Sequence, residues 1–202
     1  MPGDSYKTIA APSQGSYSEK RSRFLSFAFP VATPGEAMQH INNLRREYYD
    51  ARHVCWAYST GPDGSAFRSN DDGEPSSTAG KPILGRIRAA ELTNILVVVV
   101  RYFGGIELGV GGLIGAYRTA AAEAIAAAET IERTVNQSFD ITFPYPLQNA
   151  VMRILKEEGP AILSRRFEAG CTIAISIRRS LASRLQSRLE ALGEELGVVP
   201  RT

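Results

Sequence analysis

The distribution of apolar residues predicts a buried strand near the middle of the chain. Residues 95–100 are six consecutive aliphatic residues, five of them β-branched, between Asn94 and Arg101. A short run of this kind is typical of a strand that is buried on both faces. A glycine-rich loop follows, and then an alanine-rich stretch at 113–128 with helical spacing. Because ligands of open α/β sheets bind beyond the carboxyl ends of the strands, this loop is the candidate functional region.

Apolar and turn residues upstream of that strand predict a helix and a hairpin. Segment 33–36 combines a capping threonine, a proline in the first turn and a glutamate three residues after the cap, which is typical of a helix start. Apolar residues at helical spacing extend this helix to about Tyr49. Residues 54–60 alternate and predict a strand, and Gly61–Gly64 predicts the turn that returns the chain through 66–69.

A new alternation begins at Phe139 and predicts a second domain. Its predicted elements are strands at 139–144, 161–168 and 173–177 and helices at 147–158 and 181–192. This β-α-β-β-α order lacks only a last strand to be ferredoxin-like, and residues 196–199 are a short candidate for that strand. The sequence therefore predicts two domains, 1–136 and 137–202.

The amino-acid composition indicates the class of protein and the cellular compartment. The 202 residues are 44% apolar and 22% charged, with a net charge of +2. These values are typical of a globular protein and too weakly basic to imply nucleic-acid binding by themselves. Two cysteines far apart in the sequence favour a reducing compartment. The chain has no long apolar stretch, so we expect no signal peptide and no membrane span, and we predict a cytoplasmic protein.

The glycine-rich loop fits neither of the two common nucleotide-binding motifs. Its glycines are Gly104, Gly105, Gly109, Gly111 and Gly112. A P-loop needs Lys and then Ser or Thr after GxxxxG, where this chain has Val110 and Gly111, and a GxGxxG pattern fails at Ile114. Two interpretations stay open. The glycines bring backbone N–H groups close to an anion, or they only let the chain turn sharply between a strand and packed helices.

A second candidate region is the polar stretch before the next predicted helix. Ser76, Ser77 and Thr78 are predicted to cap a helix that runs to about Ala90, and their hydroxyl and N–H groups could also bind an anion. Arg101 ends a strand predicted to be buried, so it should pair with a carboxylate inside the protein or point into the cleft beyond the sheet. Its candidate partners are Asp72, Glu74 and Glu107. In the functional alternative, all these groups converge on one anion site.

No residue pattern identifies a catalytic or metal centre. His53 stands just before a predicted strand, and no second His, Cys or Asp lies at a metal-ligand spacing from it. The acidic stretch at 71–74 lacks the ligand alternation of an EF-hand, and no GxSxG or SxxK motif marks a nucleophile. We therefore expect no catalytic residue, no metal and no cofactor.

Several of these motifs together are similar to the signature of the YigZ/IMPACT family. The matching positions are Gly80, Ile83-Leu84, Ile87, Leu92, Val98-Val99, Arg101-Tyr102-Phe103-Gly104-Gly105 and Leu108-Gly109, with HVCWAY at 53–58 and DGEPSSTAG at 72–80. The resemblance covers essentially the whole chain. It implies an α/β (α+β) protein with an N-terminal domain of ribosomal-protein-like βαβ fold and a C-terminal ferredoxin-like domain similar to those of elongation factor G.

The resemblance also implies a role in the regulation of translation. Eukaryotic members regulate translation by competing for an activator of a starvation-responsive initiation-factor kinase, and bacterial members are short two-domain proteins. Some bacterial members carry a proline-dipeptidase label, which the two scattered histidines of this chain do not support. We therefore expect a non-enzymatic protein that binds RNA, the ribosome or a translation factor. The alternative is an enzyme acting on a small phosphorylated or carboxylated substrate at the glycine-rich cleft.

The two hypotheses draw on overlapping residues. The candidates for an anion or partner site are His53, Ser76, Ser77, Thr78, Lys81, Arg101, Tyr102, Gly104, Gly105, Gly109, Gly111 and Gly112. The candidates for RNA binding by the second domain are Arg165, Arg166, Arg178 and Arg179. An enzyme would take its general base from His53, Asp71, Asp72, Glu74 or Glu107.

Overall fold

The protein consists of two compact units. The computed structural model describes residues 4–167 and 170–201. The first unit spans Tyr6–Arg133, and the second begins at Thr134 and also includes residues 4–5. Each unit has its own hydrophobic core. The predicted mixed α/β class is confirmed, since both units pack helices on antiparallel sheets.

The first unit is built on a five-stranded sheet. The strands before residue 135 are β1 (Ser5–Ile9), β2 (Ser13–Glu19), β3 (Ser22–Pro30), β4 (His53–Thr60), β5 (Ala66–Asn70), β6 (Ile95–Tyr102) and β7 (Thr130–Thr134). The helices in this part are α1 (Pro34–Glu47), α2 (Gly80–Ala89) and α3 (Gly109–Ala126). Strands β1 and β7 pair as a two-stranded ribbon, and the other five form one sheet in the order β2-β3-β6-β4-β5.

The predicted central strand, β6, lies in the middle of this sheet and is buried on both faces. All adjacent strands of the sheet pair antiparallel. Ile95, Val97 and Val99 pack toward α2 and α3, and the alternate residues of β6 pack toward α1. The continuous apolar run therefore reflects helices on both faces of an antiparallel sheet. Antiparallel pairing also places the carboxyl end of β6 beside the amino ends of β3 and β4.

Helix α1 begins and is capped as the sequence predicts. Oγ1 of Thr33 accepts a hydrogen bond from the Glu36 N–H at 3.2 Å, and Pro34 lies in the first turn. The Glu36 carboxylate accepts in turn from the Ala32 N–H at 2.8 Å. The helix ends at Glu47, slightly before the predicted end.

The second unit has the ferredoxin-like topology that the resemblance implies. Its elements are β8 (Asn136–Phe143), α4 (Gln148–Glu158), β9 (Ala161–Phe167), β10 (Cys171–Arg178), α5 (Arg179–Glu190) and β11 (Gly197–Pro200), with a 3-10 turn at Tyr145–Leu147. The sheet order is β11-β8-β10-β9, with antiparallel pairing. Because β11 pairs with β8, the last strand is present and completes the β-α-β-β-α-β order. Glu168, which the sequence assigns to the strand before β10, lies outside the described residues.

None of the helices in the described ranges is both long and apolar enough to cross a membrane.

Candidate functional site

A cavity of about 420 Å³ opens where β6 ends and β4 begins. We refer to it as the strand-end pocket. Its lining residues are Arg52, His53, Glu74, Pro75, Arg101, Phe103, Glu107, Leu108, Gly109, Val110 and Leu113. Strand register explains its position, since Arg101 of β6 lies directly opposite His53 of β4 on one side and Phe24 of β3 on the other.

The side chain of Arg101 is buried in an internal ion pair. Arg101 follows Val99 on the face of β6 that packs against α2 and α3, and only 5% of its surface is exposed. Its Nη1 donates to Oε1 of Glu74 at 2.6 Å. Its Nη2 donates to Oγ of Ser22 at 3.5 Å, a weaker contact. The charge of Arg101 is therefore neutralised mainly by Glu74.

The structure selects one of the three predicted partners of Arg101. Glu74 makes the ion pair, whereas Asp72 pairs with Arg45 at 2.6 Å and Glu107 is exposed. The internal pairing predicted for Arg101 is confirmed, and its side chain also lines the strand-end pocket. That this pocket binds an anion stays a prediction.

Glu74 also connects the ion pair to α3 and β4. Its Oε1 accepts a hydrogen bond from the Tyr117 hydroxyl at 2.7 Å, and Sγ of Cys55 lies 3.3 Å from the same hydroxyl. Burial raises the pKa of the Tyr117 hydroxyl and the pKa of the Cys55 thiol, so both groups stay protonated at neutral pH. A protonated, buried thiol is a poor nucleophile, which gives Cys55 a packing role here.

One nitrogen of Arg101 is left without a hydrogen-bond partner among residues 4–167 and 170–201. This nitrogen is Nε, which is buried. The guanidinium carbon lies 5.6 Å from the ring centres of Phe24 and Phe103. Leaving a buried donor unpaired costs roughly 1–3 kcal/mol.

The N-terminus of α3 opens at the same cavity. Gly109, Val110 and Leu113 line the pocket, and no side chain of the described residues caps this helix start. Gly109 has a φ of +70°, a left-handed value that favours glycine, whereas Gly111 has no such φ and has open space at its Cβ position. Free N–H groups and the partial positive charge of a helix start favour an anion.

His53 has a defined orientation at the pocket wall. Its Nδ1 lies 2.8 Å from the carbonyl oxygen of Asp72, which can only accept, so we assign the hydrogen to Nδ1. In the neutral ring Nε2 is then an acceptor, and it lies 3.8 Å from Oε1 of Glu74.

Among the residues that the structure describes, His53 has few of the neighbours that a catalytic histidine needs. Within the described residues, neither ring nitrogen of His53 contacts a serine, threonine or cysteine side chain, so no nucleophile–base pair is formed. In the same ranges, no group of three or more His, Cys, Asp and Glu side chains is arranged to hold a metal ion.

The predicted helix start at Ser76–Thr78 is wrong, because α2 begins later, at Gly80. Asp71 caps this helix from farther up the chain. Its Oδ1 accepts from the N–H groups of Ala79 at 3.0 Å and Gly80 at 2.8 Å, and its Oδ2 accepts from the Ser77 N–H at 2.8 Å. A carboxylate of the chain itself thus takes the place that a bound anion would occupy at the start of α2.

We expect Asp71→Ala to destabilise the first unit by about 1–2 kcal/mol, because three N–H groups near the start of α2 lose their acceptor. Asp71→Asn keeps one carbonyl oxygen and should cost less. Urea unfolding of both variants measures the difference. An alanine variant that loses less than about 0.5 kcal/mol would show that water caps α2 equally well.

Several other predicted site residues lie away from the pocket lining. Tyr102 packs on the α1 side of the sheet and donates its hydroxyl hydrogen to Asp50 at 2.9 Å. Lys81 is exposed on α2, and Gly104 packs against the backbone of Arg21. The remaining candidates outside the lining are Ser76, Ser77, Thr78, Gly105, Gly111 and Gly112. The predicted candidates that the lining includes are His53, Arg101 and Gly109.

The four arginines predicted to bind RNA belong to the second unit. Arg165 and Arg166 are exposed on β9, which is an edge strand. Arg178 is exposed at the end of β10, and Arg179 begins α5 with its N–H donating to the Val135 carbonyl at 2.9 Å. They are therefore accessible within the second unit, while the strand-end pocket belongs to the first.

Some residues of the pocket carry no signal in the sequence. Tyr117, which donates to Glu74 and is not one of the lining residues, does have a signal: it follows Leu113 by four residues, so helical spacing places both on the buried side of α3. No such signal marks Arg52, Phe103 and Val110. They line the pocket because they lie where β4, β6 and α3 begin or end.

Comparison with known proteins gives matches along most of the chain. A family model described as the Impact N-terminal domain matches residues 20–125. The IMPACT family member YvyE of Bacillus subtilis (strain 168) is 34% identical over 153 residues, which cover 76% of this chain and 70% of YvyE. The IMPACT family member YigZ of Escherichia coli (strain K12) is 30% identical over 188 residues, 92% of either chain. A crystal structure of a hypothetical protein, 28% identical, has a TM-score of 0.73 and covers 99% of this chain and 98% of that chain.

Proposed function

Since the chain belongs to the IMPACT family, we propose that it is a non-enzymatic, translation-associated regulator that binds RNA, the ribosome or a translation factor. The family resemblance of the sequence motifs supports the link to translation. Such a role would place the protein in the cytoplasm. The mode of binding is inferred from the strand-end pocket.

The observation that carries this proposal is that the strand-end pocket offers hydrogen-bond donors that have no acceptor in the described chain. The Nε of Arg101 is buried and unpaired, and the first N–H groups of α3 have no side-chain cap. The helix start lines the pocket and favours an anionic group there, and the buried Arg101 side chain adds a positive charge to the same lining. Arg52 is exposed on the lining of the same cavity and adds a positive charge that solvent can reach.

The charge balance of the pocket indicates what kind of group fits. Its lining contains two arginines, Arg52 and Arg101, and two glutamates, Glu74 and Glu107. A balanced lining does not attract a highly charged polyanion, but it accommodates a single carboxylate or phosphate. Apolar side chains, including Phe103, complete the lining. We therefore propose that a partner inserts one anionic group beside an apolar surface.

We expect Arg52→Glu and Val110→Glu each to weaken binding to the translation partner by about tenfold, because both place a negative charge at the mouth of an anion pocket. Both residues are exposed, so neither change should unfold the protein. Co-sedimentation of the purified chain with ribosomes from the source organism measures the affinity. Pull-downs with and without nuclease separate RNA from protein partners.

The matched control is Arg46→Glu, the same charge change at an exposed position on α1 outside the pocket. This variant should bind like the wild type. A wild-type chain that binds no ribosome, RNA or translation factor would contradict the proposed function. If the pocket variants bind as well as Arg46→Glu, the strand-end pocket is not the binding site for the translation partner.

A second candidate function is an enzyme acting on a small anionic substrate in the same pocket. The orientation of His53 favours it, because the Asp72 carbonyl fixes the ring and leaves Nε2 as an acceptor close to Glu74. A panel of phosphate and carboxylate esters tests this candidate. Turnover that disappears in His53→Gln but persists in Arg46→Glu would favour the enzyme over the binding protein.

A further inference from the structure

The groove between α2 and α3 is a second surface with the character of a binding site. Its volume is about 530 Å³, and its lining includes Lys81, Gly85, Arg86, Ile114 and Arg118. We propose that this α2–α3 groove binds the phosphodiester backbone of double-helical RNA. The inference rests on the proposed function in taking RNA as the partner, but it concerns a surface other than the strand-end pocket.

Every charged side chain that lines the α2–α3 groove is cationic. These side chains are Lys81, Arg86 and Arg118, and none of them forms an ion pair with a described residue. The strand-end pocket, in contrast, has equal numbers of arginines and glutamates. Positive charge that is concentrated in a concave surface and lacks an internal counter-charge favours a polyanion from solution.

Arg86 has hydrogen-bonding capacity that the protein does not use. Its Nε is buried and has no partner among the described residues. Guanidinium groups present planar sets of donors that match phosphate oxygens. Because the Arg86 side chain is only partly buried, a phosphate in the groove could accept from its terminal N–H groups. The exposed side chains of Lys81 and Arg118 would then contact neighbouring phosphates of the same RNA strand.

Gly85 lines the groove without a side chain and leaves open space there. It lies inside α2, where glycine is a poor helix former. Beyond the adjacent residues and the local backbone of α2, no described atom lies within 4 Å of the position that its Cβ would take, and its φ is not left-handed. Neither packing nor backbone geometry therefore requires glycine here. Lys81, Gly85 and Ala89 recur every four residues on one face of α2, so the small residues leave room for an RNA backbone to approach.

The lining also indicates which form of RNA fits. No aromatic side chain of the described residues lines the groove. Proteins that hold single-stranded RNA stack its bases on aromatic rings, and protein–protein contacts depend on aromatic and other large anchors. Double-helical RNA presents phosphates and 2′-hydroxyls without exposed base faces. The groove should therefore bind RNA stems through charge and shape, independently of base sequence.

The test titrates the full chain into a fluorescent RNA hairpin with a stem of about 20 base pairs. Gly85→Glu should weaken binding at least about tenfold, because it places a carboxylate among three cations. Gly85→Gln has nearly the same size without the charge and should weaken binding less. Arg118→Ala should weaken binding several-fold and reduce the salt slope of log Kd by roughly one unit. The matched control Arg46→Ala, an exposed arginine of α1, should bind like the wild type.

The outcomes separate this inference from the proposed function. Unchanged hairpin affinity in Gly85→Glu would overturn the inference, as would tighter binding of poly-glutamate than of the hairpin. Equal losses in Gly85→Glu and Gly85→Gln would still place the RNA in the groove. A wild-type chain that ignores the hairpin, yet binds a translation factor in a manner sensitive to Arg52→Glu, overturns the inference and keeps the proposed function. If the hairpin binds in the groove but the chain binds no ribosome and no translation factor, the inference about the groove holds and the proposed link to translation is wrong.

Discussion

Replacing Arg101 with methionine should destabilise the first unit by about 3–5 kcal/mol, because it leaves a buried carboxylate without its cationic partner. That carboxylate belongs to Glu74, whose side chain is only 3% exposed. The Tyr117 hydroxyl would still donate to it at 2.7 Å, but one neutral donor does not replace a guanidinium. Urea unfolding followed by fluorescence measures the loss, since the single tryptophan, Trp56, is buried in β4 of this unit.

The control for this prediction is the double variant Arg101→Met/Glu74→Met. It removes both charges and should recover much of the lost stability, because apolar residues of similar size often replace a buried ion pair without loss. A double variant as unstable as Arg101→Met would assign the effect to packing instead of charge. A single variant that loses less than about 1 kcal/mol would show that the pair behaves like a solvated surface pair, contrary to its burial.

Gly104→Val should also destabilise the first unit strongly, by about 3 kcal/mol or more. A Cβ atom at Gly104 would overlap the carbonyl group of Arg21 and the backbone nitrogen of Ser22. These are backbone atoms of the turn between β2 and β3, which cannot move aside as the end of a flexible side chain can. The Gly104 N–H also donates to Oγ of Ser22 at 3.3 Å, so a shift here would reach Arg101, which contacts the same oxygen.

Gly111→Ala is the matched control in the same glycine-rich loop. Gly111 lies within α3, has no left-handed φ and has open space at its Cβ position. This substitution should therefore stabilise the protein by about 0.5–1 kcal/mol, the opposite sign to Gly104→Val. The same urea unfolding experiment compares the two. Equal stability of the two variants would mean that the turn at Arg21 adapts to a side chain at Gly104. The close approach of Gly104 to the Arg21 backbone would then not matter for stability.

The parts of the fold with local signals are the parts that the sequence predicts well. The cap of α1 depends on Thr33 and Glu36, three residues apart, and the structure confirms it. The hairpin of β4 and β5 depends on the turn at 61–64, and it is also confirmed. The family resemblance is confirmed by the match over residues 20–125.

The candidate site is predicted less well, because its contacts join residues that are distant in sequence. Three acidic residues were equally plausible partners of Arg101 from the sequence, and the one selected, Glu74, is 27 residues away. The sequence predicts a start of α2 that is too early, because the cap comes from Asp71, up to nine residues before the N–H groups that it binds. Gly104 supports the structural interpretation, since it allows a close approach of backbones, whereas anion binding at the helix start that Gly109 begins stays a prediction.

Patterns along the chain are sufficient to predict the mixed α/β class, the double burial of β6 and the β-α-β-β-α order of the second unit, and the sequence motifs are sufficient to predict the family. The class, the burial and the order of elements follow from residue spacing along one strand or helix, where the period of the backbone decides which side chains share a face. The folded arrangement is needed to identify the carboxylate that neutralises Arg101 and to show that Lys81 and Arg118 line the same groove. Such contacts depend on strand register and helix packing, which bring together side chains that are distant in sequence. The distance between them along the chain follows no regular period, so the sequence pattern does not reveal them.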